Sequence, residues 1–189
     1  MAMTGVETPM DGGRTGGLVP HEWREGEYLI TTDPARVDLD VVHGFLRRSY
    51  WAEGIGRGLV ERAVRHSLPF SVYAGERQVG FARVVTDYAT FAWVADVFIL
   101  EPWRGRGLSK WLVRTMLAHP ELQGLRRWIL ATHDAHGLYR AHGFAPLAHP
   151  DRYLEILRPD AHRRPPHAAG ADAAADAAAG PSTPTAPAS

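Results

Sequence analysis

Residues 91–120 read FAWVADVFILEPWRGRGLSKWLVRTMLAHP, and the hydrophobic period changes in the middle of them. The first ten residues form an apolar run of strand length, interrupted only by Asp96. From Leu108 the apolar positions recur at helical spacing, through Trp111, Leu112, Thr115 and Met116, until Pro120 stops the helix. RGRGLS, residues 104–109, lies at the handover. Where a strand passes into a helix, several backbone N–H groups lack partners and point outward with the positive end of the helix dipole behind them. Gly105 and Gly107 allow a sharp turn and let an anion approach the backbone with no Cβ in the way. Arg104 and Arg106 add forked donors at the rim. The stretch therefore predicts a phosphate cradle. RGRG also occurs in flexible RNA-binding tails, but a site between a buried strand and a strong helix argues against that reading. GK[ST], GxGxxG and an alternating parallel βαβ pattern are all missing, which excludes the Walker and dinucleotide-fold alternatives.

Working outward, EYLITT (27–32) reads as extended until Pro34, and DLDVVHGFLRRSY (38–50) repeats Leu39, Val42, Leu46 and Tyr50 at helical spacing. GLVERAVRHS (58–67) is a second amphipathic helix, with Glu61 and Arg65 paired across one turn. FSVYA (70–74), VGFARVV (79–85) and FAWVADVFIL (91–100) predict three consecutive antiparallel strands. RWILAT (127–132) is a short strand. A helix over 134–141 ends at Gly143, placed for a left-handed C-terminal turn, with Phe144 folding back on it. FAPLA (144–148) and RYLEIL (152–157) are read as closing strands. The predicted order is β-α-α-β-β-β-α-β-α-β-β.

The 189 residues suffice for one domain. The expected division is a Gly-rich N-terminal tail at 1–20, a folded domain at 21–159 and an Ala/Pro-rich tail at 160–189, with both tails predicted to be disordered. Lys plus Arg equals Asp plus Glu at 21 each, so no global charge recruits nucleic acid or membrane. The absence of cysteine excludes a disulfide framework and a thiolate nucleophile, and it suits a reducing, cytoplasmic setting. The N-terminal residues resemble no signal peptide, and no apolar run is long enough to span a membrane.

The cradle resembles the acyl-CoA-binding motif of the GNAT N-acetyltransferase superfamily, [RQ]-x-x-G-x-[GA], here Arg104, Gly107 and Ser109. ILEPWRGRGLS also resembles the family's V-x-P-x-x-R-G-x-G-x-G, with the proline one place later. Downstream, THDAHGLYRAHGF resembles N-x-x-A-x-x-x-Y-x-x-x-G-F, with Ala135, Tyr139, Gly143 and Phe144 in register. The resemblance covers about residues 27–158. It implies a single-domain α/β fold whose mixed, mostly antiparallel sheet splays between strands 4 and 5, flanked by about four helices. It further implies acetyl-CoA as co-substrate, contacted by Val97, Phe98 and Ile99 of the strand, by Arg104, Gly105, Arg106, Gly107, Leu108 and Ser109 of the cradle, and by Thr132 and Ala135. Two departures stand out. Ser109 replaces Gly or Ala, with a hydroxyl small enough to fit and able to donate to a phosphate oxygen. Thr132 replaces a common Asn, so the Asn amide contact to the cofactor is not carried over. Many relatives dimerise, and a homodimer is left open.

Acetyl transfer to an amine needs a neutral amine, a polarised thioester carbonyl and a protonated leaving thiolate. The resemblance assigns the acid to Tyr139. Asp96 is a candidate base, because a carboxylate on an apolar strand is costly unless paired or used; a structural role at the splay is equally open. Strict alternation puts Trp93, Ala95, Val97 and Ile99 on one face and Asp96 on the other. Tyr50, Trp51 and Glu53 are candidates for the acceptor wall. Asp87 and Tyr88 are read mainly as turn residues. His133, His136 and His142 lack a carboxylate or thiolate at ligand spacing, so no metal is expected, although His133 could relay a proton. The expected activity is N-acetyl transfer to a small-molecule or peptide amine, with a non-catalytic acyl-CoA-binding module as the alternative.

Overall fold

The computed structural model describes residues 19–158 and 161–163. The expected disorder of residues 1–20 and 160–189 falls, apart from 19–20 and 161–163, outside the described residues. Six strands form one sheet in sequence order: β1 (Glu22–Glu25), β2 (Tyr28–Thr31), β3 (Leu68–Ala74), β4 (Arg77–Thr86), β5 (Phe91–Ile99) and β6 (Arg127–Ile129). Every neighbouring pair is antiparallel except β5–β6. Helices α1 (Leu39–Leu46) and α2 (Arg57–Arg65) connect β2 to β3, α3 (Leu108–Leu117) connects β5 to β6, and α4 (His136–Arg140) follows β6.

The sheet has a core on each face. Phe70, Val72, Ala82 and Val84 pack with Leu108, Trp111, Leu112 and Met116 of α3. On the opposite face Phe81 and Phe98 pack with Val42 and Leu46 of α1 and Val60 and Val64 of α2. The apolar stripes that predicted the helices are thus the surfaces they bury. Local chemistry fixes their ends. Asp38 caps α1 by accepting from Asp40 N–H and Val41 N–H. Gly143, at φ 90°, ends the turn after α4, and Phe144 N–H returns to the Tyr139 carbonyl at 3.1 Å.

Three sequence expectations change. An additional strand, β1, precedes the first predicted one; it hairpins onto β2 through the two-residue turn Gly26 (φ 57°) and Glu27, and its four residues, EWRE, are too few and too polar to offer a periodic signal. The splay consequently falls between the fifth and sixth strands. The closing strands expected at 144–148 and 152–157 are not strands. Pro146 and Pro150 lack N–H donors, and Leu154 and Ile156, 98% and 90% exposed, have no surface to bury against. Finally, alternation fails within β5. Phe81 faces Phe98 and Arg83 faces Ala95, so two steps along β4 match three along β5. The extra residue makes a β-bulge at Asp96, whose φ of 54° lies in the left-handed region that Asp tolerates better than most residues. Ala95, Asp96 and Val97 therefore all reach one cavity. No helix among the described residues is long and apolar enough to cross a membrane.

Candidate active site

β5 and β6 pair only over Phe91–Trp93 and Arg127–Ile129. Beyond Trp93 they part, and the gap opens into a cavity of about 640 Å³. Val94 to Val97 form one lip, and Ala131, Thr132, His133, Asp134 and Ala135 form the other. Tyr139 reaches in from α4, while Tyr50 and Trp51 close the side nearest α1. The strand divergence brings together Asp96, Val97, Thr132, Ala135, Tyr139, Tyr50 and Trp51 from the sequence-derived candidates. Phe98 is elsewhere: its ring stacks on Phe45 at 3.9 Å in the α1–α2 core, so only its backbone is available to a ligand.

Asp96 is held on both sides. Its Oδ2 accepts from Arg83 Nε at 2.5 Å, and its Oδ1 accepts from Trp51 Nε1 at 3.2 Å. Both charged side chains are largely buried, 19% and 12% exposed, so the pair offsets what would otherwise be two costly desolvated charges. Sequence reasoning missed Arg83. The signal was present, however, since one lone cation on VGFARVV adjoins one lone anion on the next strand. Tyr139 is 8% exposed. Burial, with Tyr50 and Asp134 nearby, pushes its phenol up to about 12, so it keeps its proton at neutral pH.

The loop between α1 and α2 is sewn to both lips. Trp51 joins it to the bulge on β5, and the Tyr50 hydroxyl accepts from His133 N–H at 3.0 Å on the other lip. Glu53 does not line the cavity; its carbonyl and carboxylate face the turn at 161–163. Thr132 Oγ1 accepts from Ala135 N–H at 3.1 Å, ordering the turn that leads into α4. Asp87 lies outside the cavity and holds its own turn. Its carboxylate accepts from Thr90 Oγ1 and from the N–H groups of Ala89, Thr90 and Phe91, and these bonds hold it well below the usual carboxylate range. Among the described residues no cluster of three His, Asp or Glu could hold a metal.

The 104–109 stretch has the backbone of an anion cradle. Gly105 and Gly107 have φ of 76° and 81°, and a Cβ built on either meets nothing within 4 Å. Left-handed geometry favours glycine there, and the open space admits a ligand. Gly107 caps α3 with no side-chain hydrogen bond to the first-turn amides. Arg104 Nε donates to the Ile99 carbonyl at 3.1 Å, which fixes the arginine beside the strand end. Arg106 lies over the Trp103 ring at 4.8 Å and donates to the Tyr28 hydroxyl at 3.2 Å. Leu108 turns into the core, while Ser109 is half-buried at the helix start. An uncapped helix start with two unobstructed left-handed glycines suits a pyrophosphate.

A family model for the acetyltransferase (GNAT) domain matches residues 65–146. A Gibberella zeae protein, FG08082, provisionally named an acetyltransferase, is 30% identical over 143 residues, covering 64% of this chain and 80% of its own length. A crystal structure from Xanthomonas campestris, described as belonging to the GNAT family, is 46% identical with a TM-score of 0.71 and covers 74% of this chain and 99% of that one. This chain belongs to the GNAT acetyltransferase family. A crystal structure from Clostridium acetobutylicum, described as a predicted acetyltransferase with acetyl-CoA, shares the fold at 14% identity and TM-score 0.52, covering 69% of this chain and 94% of that one. The resemblance seen in RGRGLS and THDAHGLYRAHGF therefore holds for fold and family, and this GNAT chain is an acetyltransferase.

Proposed function

We propose that this acetyltransferase moves an acetyl group from acetyl-CoA to an amine acceptor by direct attack within the splay. The convergence of a protonated Tyr139 and the β5 bulge on one cavity carries the reading. The cradle amides after Gly107 and the guanidinium groups of Arg104 and Arg106 would hold the pyrophosphate, with Ser109 adding a hydroxyl. Val97, Ile99, Thr132 and Ala135 would border the pantetheine arm, as would the Phe98 backbone. When bound, acetyl-CoA supplies a thioester whose C–S bond is exchanged for a C–N bond to the amine. Tyr139 holds a proton at its phenolic oxygen and delivers it toward the departing sulfur, a role that needs the phenol to stay neutral. Asp96 positions Arg83 and Trp51, and through Trp51 the acceptor loop. With both oxygens engaged, its carboxylate serves as an anchor. Tyr50 and Trp51 present aromatic faces to the acceptor, a surface suited to a cationic amine.

The test is thiol release from acetyl-CoA with spermidine, phenylalanine, kanamycin and a tetrapeptide with a free N-terminus. Turnover with at least one of them, cut by Tyr139→Phe, is expected. Acetyl-CoA binding with no turnover on any amine would contradict the reading.

A further inference from the structure

The assignment of Asp96 as an anchor leaves the amine's proton without a destination, and a second group reaches the cavity from a distant part of the chain. The turn Ala161–Arg163 lies against the α1–α2 loop, where His162 Nε2 is 2.9 Å from the Glu53 carbonyl oxygen. Arg163 Nε donates to the same oxygen at 3.3 Å, and its Nη2 lies 3.3 Å from Glu53 Oε2. A carbonyl oxygen only accepts, so Nε2 carries the hydrogen and the neutral ring keeps its lone pair on Nδ1. His162 lines the cavity together with Trp51, Asp96 and Tyr139. Residues 161–163 also lie beyond the part of the chain matched by the family model.

Resting on the amine-acceptor reading above, we propose that His162 is the proton acceptor of the reaction, supplied to the acceptor side of the cavity by the C-terminal turn. The acceptor enters as an ammonium and one N–H proton passes to Nδ1, which frees the nitrogen lone pair to form the C–N bond. As the C–S bond breaks and sulfur takes the Tyr139 proton, the second N–H proton restores the phenol, and the imidazolium returns its proton to solvent. The other titratable and charged groups around it are Glu53 with Arg163 on the loop and turn, Arg83 with Asp96 on β4 and β5, His133 and Asp134 on the far lip, and Tyr50 and Tyr139. Two pairs among these are ion pairs, Arg83 with Asp96 and Arg163 with Glu53. Among the described residues no hydrogen bond fixes the ring tautomer of His133, whose ring packs edge-on to Tyr50. The Arg163–Glu53 ion pair is exposed, 51% and 71%, so it holds the turn only lightly.

The experiment measures kcat/KM for the fastest amine of the four above, at saturating acetyl-CoA, for the full chain and for His162→Ala between pH 5.5 and 7.5. Both proteins meet the same balance of ammonium and free amine, so their ratio isolates the residue. The ratio is expected to climb with pH to about 10²-fold at pH 7.5, with an unchanged KM for acetyl-CoA and partial rescue by added imidazole. A ratio that is the same at every pH, whatever its size, marks a wall residue and overturns the proposal. So does transfer of the pH-dependent loss to His133→Ala. A wild-type protein that releases no thiol with any amine overturns the underlying reading as well.

Discussion

The two halves of the site are built in opposite ways. The cradle is made of backbone, within six consecutive residues, with two left-handed glycines and an uncapped helix start. The acceptor side is made of side chains brought from far apart: Trp51 to Asp96 spans 45 residues, Tyr50 to His133 spans 83, and His162 to Glu53 spans 109. A backbone cradle tolerates side-chain change as long as the glycine conformations survive, whereas the side-chain wall can be retuned by single substitutions. One half therefore suits an invariant cofactor and the other a variable acceptor.

The largest expected effect divides chemistry from binding. Tyr139→Phe should lower kcat about 10²- to 10⁴-fold while acetyl-CoA affinity, measured by titration calorimetry, stays within about threefold. An undiminished kcat would remove the acid from the account. Next, Asp96→Ala should destabilise the fold by about 1–3 kcal/mol in denaturant unfolding, because it strands a largely buried Arg83 and releases Trp51. Arg83→Met in the same background should restore part of that loss, and a cycle with no coupling would mean that the pair anchors nothing.

Acid sets the limit within which the acceptor side can be titrated. His119 is fully buried among His21, Trp23 and Phe70, accepts from Glu121 N–H at Nδ1, and has no hydrogen-bond partner at Nε2 among the described residues. Burial, reinforced by His21, lowers its pKa from 6.5 to about 4. Between those values the unfolded chain binds a proton that the folded chain refuses. Stability is thus full above pH 6.5 and falls on acidification toward pH 4, by up to about 1.4 kcal/mol per pH unit. Denaturant melts should show this slope, and His119→Leu should flatten it; an unchanged slope would assign the acid sensitivity elsewhere. The smallest effect is expected at Ser109. Ser109→Gly should leave acetyl-CoA affinity within about threefold, whereas a tenfold loss would make the hydroxyl a principal contact.

What the sequence made legible follows the same division. The 104–109 stretch, α3 and the Tyr139 helix rest on contacts within a few turns of chain, so period, glycine placement and motif register sufficed. The bulge escaped because one inserted residue in β5 is invisible to an alternation count, although it decides which way Asp96 points. Arg83 escaped because its role exists only in the β4–β5 register. His162 escaped because it sits within an Ala/Pro-rich stretch whose composition reads as tail. The two expected closing strands failed for a related reason: RYLEIL has a strand's pattern, but a pattern becomes a strand only when an edge receives it.

The central claim is that a backbone cradle at Gly107 holds the acyl-CoA pyrophosphate. Titration calorimetry of acetyl-CoA into the full chain and into Gly107→Val tests it most directly, with thermal melts confirming that the variant is folded. A valine would be strained at φ 81° and would fill the open space above the helix start. The account predicts measurable binding to the wild-type chain and a loss of about 10²-fold or more in the folded variant; equal affinity in the two proteins would contradict it.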